Sequence, residues 1–321
     1  MTALATPIVA RADQRQCMSI ADLPHEALSR YDPRRLLRCI PDLLHDRRTS
    51  GPRRKQVNMQ PAHCGTYERL IAAATSLPAI TTAIVHPCDG VLLKTVDAAA
   101  RRKLIDPILV GPVAKVRMAA ERGGIDISSI PLIDAAHSHD AAARAVALVR
   151  DDQVDALMTD SLYTDELIGC VAARGTGIRR ERRMSHCFII DLPTNPDPLI
   201  VTDAVVNIAP TIEDKADIVQ NAMDLARTLR CSALRVGVLS ATEATRMVEW
   251  RQIARYFNIL VVPDRDAGNS LIHHMSHMAG TDAAGIVLGA RVPIIVASRA
   301  DALTSQFASC AAASLSTATR R

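Results

Sequence analysis

The sequence predicts an α/β protein built on mostly parallel, doubly wound sheets. Three observations carry that expectation. From residue 67 onward, short β-branched runs alternate with Ala-rich amphipathic stretches, the texture of strand, crossover helix and next strand. The 321 residues are 48% hydrophobic but only 2% aromatic, so the core must be aliphatic, as in sheets covered on both faces. The apolar runs stop on Pro, Gly, His or Asp, residues that end strands and open turns.

Taken in order, YERLIAAATSL is an amphipathic helix and TTAIVHP (81–87) a strand closed by a proline. VLLKTVDAAARRKLI follows as a helix with Arg101, Arg102 and Lys103 near its end, where cations meet the negative pole of the dipole. DPILVGP (106–112) is a strand, AKVRMAAERGG a helix with Gly123 as its expected C-cap, and IPLIDA a strand. HDAAARAVALVRDD is a helix, VDALMTD (154–160) a strand and ELIGCVAARG a helix. After the basic loop 178–186, CFIIDLP and PLIVTDAVVNI read as a paired ribbon of strands. EDKADIVQNAMDLARTL is a helix, LRVGVLS (234–240) a strand, 242–256 a helical stretch, NILVVPD (258–264) a strand and RDAGNSLIHHMSHMAG a helix.

The last segment is the most informative. A glycine-punctuated apolar stretch from Asp282 runs into the strand Val292 to Ala297, then Ser298-Arg299-Ala300-Asp301, then a helical pattern. A small hydroxyl residue at that junction can cap the new helix. The N–H groups and dipole there favour an anion, and an arginine adds a planar cationic fork suited to phosphate or carboxylate. On pattern alone, an ordinary capped helix explains the segment equally well.

Residues 1–62 read differently: Pro-rich, irregular and basic, with 11 Arg and Lys against 6 Asp and Glu. One or two short helices are expected between Ile20 and Leu44, and Met59 is a candidate start of translation. The chain as a whole carries a net charge of only +4, and so few aromatics argue against base-stacking nucleic-acid modules. The eight cysteines show no CxxC spacing, which suits reduced thiols in a cytoplasmic protein. The longest apolar run, Ala283 to Ala297, is broken by Arg291 and too short to span a bilayer. His273, His274 and His277 lack a carboxylate at useful spacing, so no metal site is expected.

Eight strings resemble the phosphate acetyl/butyryltransferase family, most closely the butyryl-type domain that also occurs fused to enoyl-CoA hydratase-like modules. They are AIVHPCD, DPILVGP, DAAHSHDAAARAV, SLYTDEL, RRERRMSHCFIIDLP, IVTDAVVNIAPTIEDKADIVQNAMDLA, LVVPDRDAGN and GTDAAGIVLGARVPIIVASRAD. The resemblance covers about residues 66–241 and 258–315. It implies two α/β domains similar to the isocitrate/isopropylmalate dehydrogenase architecture. The first would be 63–158 plus 284–321 and the second 159–283, with 1–62 as an extension. It also implies a cleft site, a homodimer, acyl-CoA and inorganic phosphate as substrates, and coenzyme A as co-substrate without a tightly bound cofactor.

Residue by residue, the resemblance implies that Ser298 and Arg299 bind and stabilise charge on phosphate or carbonyl oxygens, with Asp301 the candidate general base. Ser161 and Thr164 match a serine/threonine loop at the head of a helix, where they would bond phosphate oxygens; helix capping is the competing reading. Arg182, Arg183, Ser185 and His186 match a segment that would line the cleft or meet CoA phosphates; a solvated basic turn is the alternative for the two arginines.

Two departures stand out. The family has Lys-Gly where this chain has Thr159-Asp160, placing an anion where a cation is expected. Between the strands at 234–240 and 258–264 only about one helix remains, where the family has a helix, a glycine-rich strand and another helix. A catalytically impaired, internally deleted paralogue is therefore the alternative to an active acyltransferase.

Overall fold

The computed structural model describes residues 8–10, 17–19, 65–160, 163–192, 195, 197–232, 234–239, 254, 256–279, 283–298 and 301–320. Two three-residue strands, β1 (Ile8–Ala10) and β2 (Cys17–Ser19), form an antiparallel pair within the segment expected to be irregular. The helices expected between Ile20 and Leu44, and all but two residues of the helical stretch 242–256, lie outside the described residues.

The rest is organised by one ten-stranded sheet. Its strands are β3 (Ile80–Val85), β4 (Ile105–Gly111), β5 (Leu132–Asp134), β6 (Ala156–Asp160), β7 (Ser185–Ile190), β8 (Leu199–Thr202), β9 (Val236–Val238), β10 (Ile259–Val261), β11 (Ala283–Leu288) and β12 (Ile294–Ala297). They lie in the order β5-β4-β3-β6-β12-β11-β7-β8-β10-β9. From β5 to β12 the neighbours are parallel, β11 and β7 introduce antiparallel pairings, and β8, β10 and β9 are parallel again.

The helices are α1 (Thr66–Thr75), α2 (Gly90–Arg101), α3 (Val113–Gly123), α4 (Ser138–Arg150), α5 (Thr164–Ala172), α6 (Ile212–Thr228), α7 (Arg265–Ala279) and α8 (Leu303–Arg320). α1, α2, α3, α6 and α8 share one aliphatic core on one face. α4 and α5 pack in a second core, and α7 packs in a third with β8 and β10. Local chemistry sets the boundaries. Asp89 caps α2 by accepting from Val91 N–H, and Thr211 and Asp214 close a reciprocal capping box on α6. α3 ends one residue later than expected: Gly124, not Gly123, takes the left-handed position at φ 65°.

The expected strands and ribbon are present, β7 and β8 pairing antiparallel. The apolar stretch 283–288, read only as a glycine-punctuated approach, is itself a strand. Glycine makes this pairing possible at 285, where a Cβ would stand 2.8 Å from the His186 ring.

Candidate functional site

The parallel strands β3, β6 and β12 deliver their carboxyl ends to one edge of the sheet, where open α/β sheets place ligands. Ala297, the last residue of β12, pairs with Asp160, the last of β6. Ser298 therefore emerges beside Asp160. Thr164, at the start of α5, lies within reach of the same strand end: its hydroxyl donates to the Asp160 carbonyl at 3.4 Å. Asp160 and Thr164 are 3% and 5% exposed.

Between Ser298 and α8 the chain makes a tight turn instead of entering the helix directly. Asp301 N–H bonds the Ser298 carbonyl at 3.1 Å, and the Asp301 carboxylate accepts from Ser298 N–H at 3.1 Å. α8 starts at Leu303, so Ser298 shapes the turn and is not the residue flanking the helix. The buried Gln306 amide holds the turn from inside, donating to the carbonyls of Ser298 (3.0 Å) and Asp301 (3.2 Å). Its carbonyl takes the Thr95 hydroxyl of α2. Ser161 and Arg299 lie outside the described residues.

His86 completes this edge. It follows β3 directly at φ 51°, its amide bonded to Val110 O, and is 8% exposed. Its ring stacks edge-on against Tyr163, with centroids 4.6 Å apart, and Nε2 lies 3.5 Å from the Cys88 sulfur. Burial, followed by the Lys115 charge, lowers the His86 pKa, while burial raises that of Cys88. A neutral imidazole, itself in contact with a neutral thiol, therefore packs against Tyr163, the residue flanking α5 just before Thr164.

The other four expected residues are placed apart from that turn. Arg182 bonds Asp224 (2.7 Å) on α6. Arg183 donates to Asn207 (2.8 Å) and pairs with Asp214 (3.2 Å). Ser185 and His186 start β7 and are fully buried. The Ser185 hydroxyl meets Asn221 Nδ2 at 2.9 Å. His186 packs on Phe188, both ring nitrogens lack a hydrogen-bond partner among the described residues, and burial depresses its pKa to about 3. This segment is tied to the middle of the chain by Asp203, whose carboxylate accepts from the backbone N–H groups of His186, Val205, Val206 and Asn207 and from Asn207 Nδ2.

Sequence reading did not single out Asp203, Asn207, Asn221, Gln306 or Thr95. Asp203 and Asn207 stand in the quoted string IVTDAVVN, where an Asx residue followed by a turn is the available signal. Gln306 offers none, because its partners are backbone carbonyls fixed only by the fold.

The sequence profile described as phosphate acetyl/butaryl transferase matches residues 136–250. A phosphate acetyltransferase of Rhizobium meliloti is 41% identical over 304 residues, taking in 81% of this chain and 96% of that protein. One from Rickettsia prowazekii is 38% identical over 292 residues, with 77% and 83% covered. In the first alignment 304 positions exceed 81% of this chain's 321 residues, so the relative carries positions with no counterpart here. Among solved structures, a phosphotransacetylase from Streptococcus pyogenes superposes with TM-score 0.63 at 14% identity, covering 78% of this chain and 99% of that one. A branched-chain phosphotransacylase from Enterococcus faecalis gives 0.60 at 20% identity, with 74% and 99% covered. The fold is thus theirs, and by its kinship to proteins 38–41% identical over most of their length the chain belongs to the phosphate acetyl/butyryltransferase family.

Proposed function

We propose that the chain transfers an acetyl- or butyryl-type group between coenzyme A and inorganic phosphate. A phosphate oxygen attacks the thioester carbonyl, the C–S bond breaks, and CoA leaves as the thiolate that takes up a proton. The reverse reaction consumes acyl phosphate. The observation that carries this reading is the Ser298–Asp301 turn at the end of β12, set against Asp160 and Thr164 and braced by Gln306. Ser298, with Ser161 and Thr164, binds phosphate oxygens. Arg299 stabilises charge on the carbonyl or phosphate oxygens, an electrostatic contribution often the largest in acyl transfer. Asp301 serves as base toward the thiol in the acyl-phosphate direction. Arg182 and Arg183 carry the basic segment toward CoA phosphates, with Ser185 and His186 anchoring it from within the sheet.

The reading includes two domains, 63–158 plus 284–321 and 159–283, a cleft between them, a homodimer and a cytoplasmic location. CoA is a co-substrate, and no cofactor is held tightly. A second reading, a folded but catalytically impaired paralogue, is favoured by one observation: Thr159 and Asp160 occupy the end of β6, buried, where the family resemblance implies a Lys-Gly pair. An added carboxylate repels phosphate at short range.

Phosphate-dependent release of CoA from acetyl- or butyryl-CoA, followed with a thiol reagent, separates the two. Turnover establishes the transferase, and no turnover by well-folded protein discards it. Arg299→Ala is expected to lower kcat by about a hundredfold or more, the scale of losing one charge-stabilising donor. Full activity in that variant would refute the role of Arg299.

A further inference from the structure

Three strand ends stand in a row at the transfer edge. Ile84 of β3 pairs with Met158 of β6, while Met158 and Asp160 pair with Ile295 and Ala297 of β12. Carried two residues past Ile84, that register brings His86 level with Asp160, as Asp160 is level with Ala297. His86 thus stands two strands from Ser298, with the end of β6 between them.

The fold goes to some length to put an imidazole there. His86 holds a left-handed backbone, φ 51°, a conformation uncommon for residues with a Cβ but reached by histidine more readily than by most. Opposite it β4 ends in Gly111, where a Cβ would lie 3.4 Å from both His86 Cα and Pro87 Cδ. The ring is almost fully enclosed, yet Nδ1 has no hydrogen-bond partner among the described residues. A buried polar atom without a partner is unfavourable, and strained backbone gathers where function requires it.

What the ring touches gives the reason. Its centroid lies 4.6 Å from that of Tyr163, edge-on at 69°. Tyr163 flanks the start of α5, and its side chain makes no capping hydrogen bond. The next residue, Thr164, reaches the end of β6 through a long bond of 3.4 Å to the Asp160 carbonyl. With no side-chain cap and so long a bond, the start of α5 depends on packing, and His86 is the ring packed against it.

We propose that His86 is a positioning residue for phosphate: as a neutral ring it holds Tyr163, and through it Thr164, in the place where phosphate oxygens are bound. This role rests on the transferase reading. The titratable and charged groups around the ring are Lys115 of α3, Glu166 of α5, His137 before α4 and Cys88 on its own loop, with Asp160 level with it on β6. Burial, then Lys115, opposes a positive charge on the ring; Glu166 favours one and His137 opposes it. A protonated ring must find water and leave Tyr163. The contact is therefore complete above the ordinary histidine value of 6.5 and is lost as pH falls below it.

Steady-state release of CoA, with phosphate and acyl-CoA varied in turn, tests this in the wild type, His86→Asn, Tyr163→Ala and the double variant. Asparagine tolerates the left-handed backbone but is too short to replace the ring. Each single variant should lower kcat/KM for phosphate by about tenfold or more while the acyl-CoA KM stays nearly constant. The double variant should be no worse than the stronger single one, because both break one contact. The ratio of wild-type to His86→Asn activity should shrink as pH falls below 6.5; phosphate itself titrates alike in both assays. Should His86→Asn fail to fold, Tyr163→Ala, at a half-buried position, carries the same expectation. An unchanged kcat/KM for phosphate, additive losses, a ratio that does not move with pH, or an equal rise in the acyl-CoA KM would each overturn the role. Wild-type protein without turnover overturns the transferase reading and this role together, whereas an active wild type with indifferent variants overturns the role of His86 alone.

Discussion

The two halves of the one sheet are held together by different means. In the first half, β3 pairs with β4 over six residues and helices cross between parallel neighbours, while buried polar groups such as Asp160, Thr95 and Gln306 gather around the turn after β12. In the middle, β9 and β10 pair over three residues, directions are mixed, and β7 buries His186 while the turn after β8 buries Asp203. Long parallel pairing satisfies the backbone and leaves side chains free to be apolar. Where strands are short and the chain turns back on itself, loose amide groups remain, and buried polar side chains must take them up. The middle half should therefore fail through its polar anchors, and the first half through loss of volume.

The largest expected effect breaks that anchor. Asp203→Ala leaves the amides of His186, Val205, Val206 and Asn207 without their acceptor. Each buried donor left without an acceptor costs about 1–3 kcal/mol, so the summed loss should reach about 3 kcal/mol or more. Urea unfolding should show that loss, and a change under 1 kcal/mol, on the order of one net hydrogen bond, would mean that the middle does not depend on it.

Next comes the seam between the halves. Gly285→Ala would place a methyl 2.8 Å from His186 Nε2 and 3.3 Å from Val296 O, overpacking that costs about 1–3 kcal/mol. Because the ring is the nearest obstacle, His186→Ala should relieve part of the penalty. A double-mutant cycle should be non-additive by at least about 0.5 kcal/mol, and strict additivity would place the strain elsewhere.

His186 also gives the seam a pH dependence. Its pKa is about 3 in the fold against the ordinary 6.5. The unfolded chain takes up a proton near pH 6.5 while the folded chain does not until about pH 3, so stability is full above 6.5 and falls as pH drops toward 3. Between pH 7 and 5.5 this residue should account for about 1 kcal/mol. Other groups titrate too, so the readout is the difference from His186→Leu, whose profile should be flatter by that amount. Parallel profiles would show that the imidazole is solvated or paired in solution.

The same contrast explains what could be read from the sequence. In the first half one period suffices: aliphatic alternation, a capping Asp89 and the stops at Pro87 and Pro112 mark the elements within a few residues. β11 escaped because Ala283, Ala284 and Gly285 open it and leave only Ile286 and Val287 as a β-branched signal; its strand character comes from pairing with β7 and β12. The string around Ser298 was legible as a strand running into a helix, yet the turn replacing direct entry to α8 was not, since Gln306 braces the Ser298–Asp301 closure from inside the fold. That glutamine looks like any polar residue of an amphipathic helix until the fold sets it under the turn.

Gln306 gives the smallest and most discriminating prediction. Its amide links Ser298 and Asp301 carbonyls to Thr95 on α2, so it acts on the reaction only by positioning the turn. Gln306→Ala removes that brace and opens space in the first half's core, where loss of volume should lower stability. If positioning is its role, kcat falls several-fold while the acyl-CoA KM stays nearly constant, because geometry at the reacting atoms changes more than ground-state binding. Gln306→Glu keeps the shape and the carbonyl-side acceptor but turns the donor toward two carbonyls into a second acceptor or a proton-dependent donor. Its kcat should therefore recover as pH is lowered, whereas that of Gln306→Ala should not. Equal pH profiles for the two variants would reduce Gln306 to a packing residue and leave the turn to be held by the Ser298–Asp301 bonds alone.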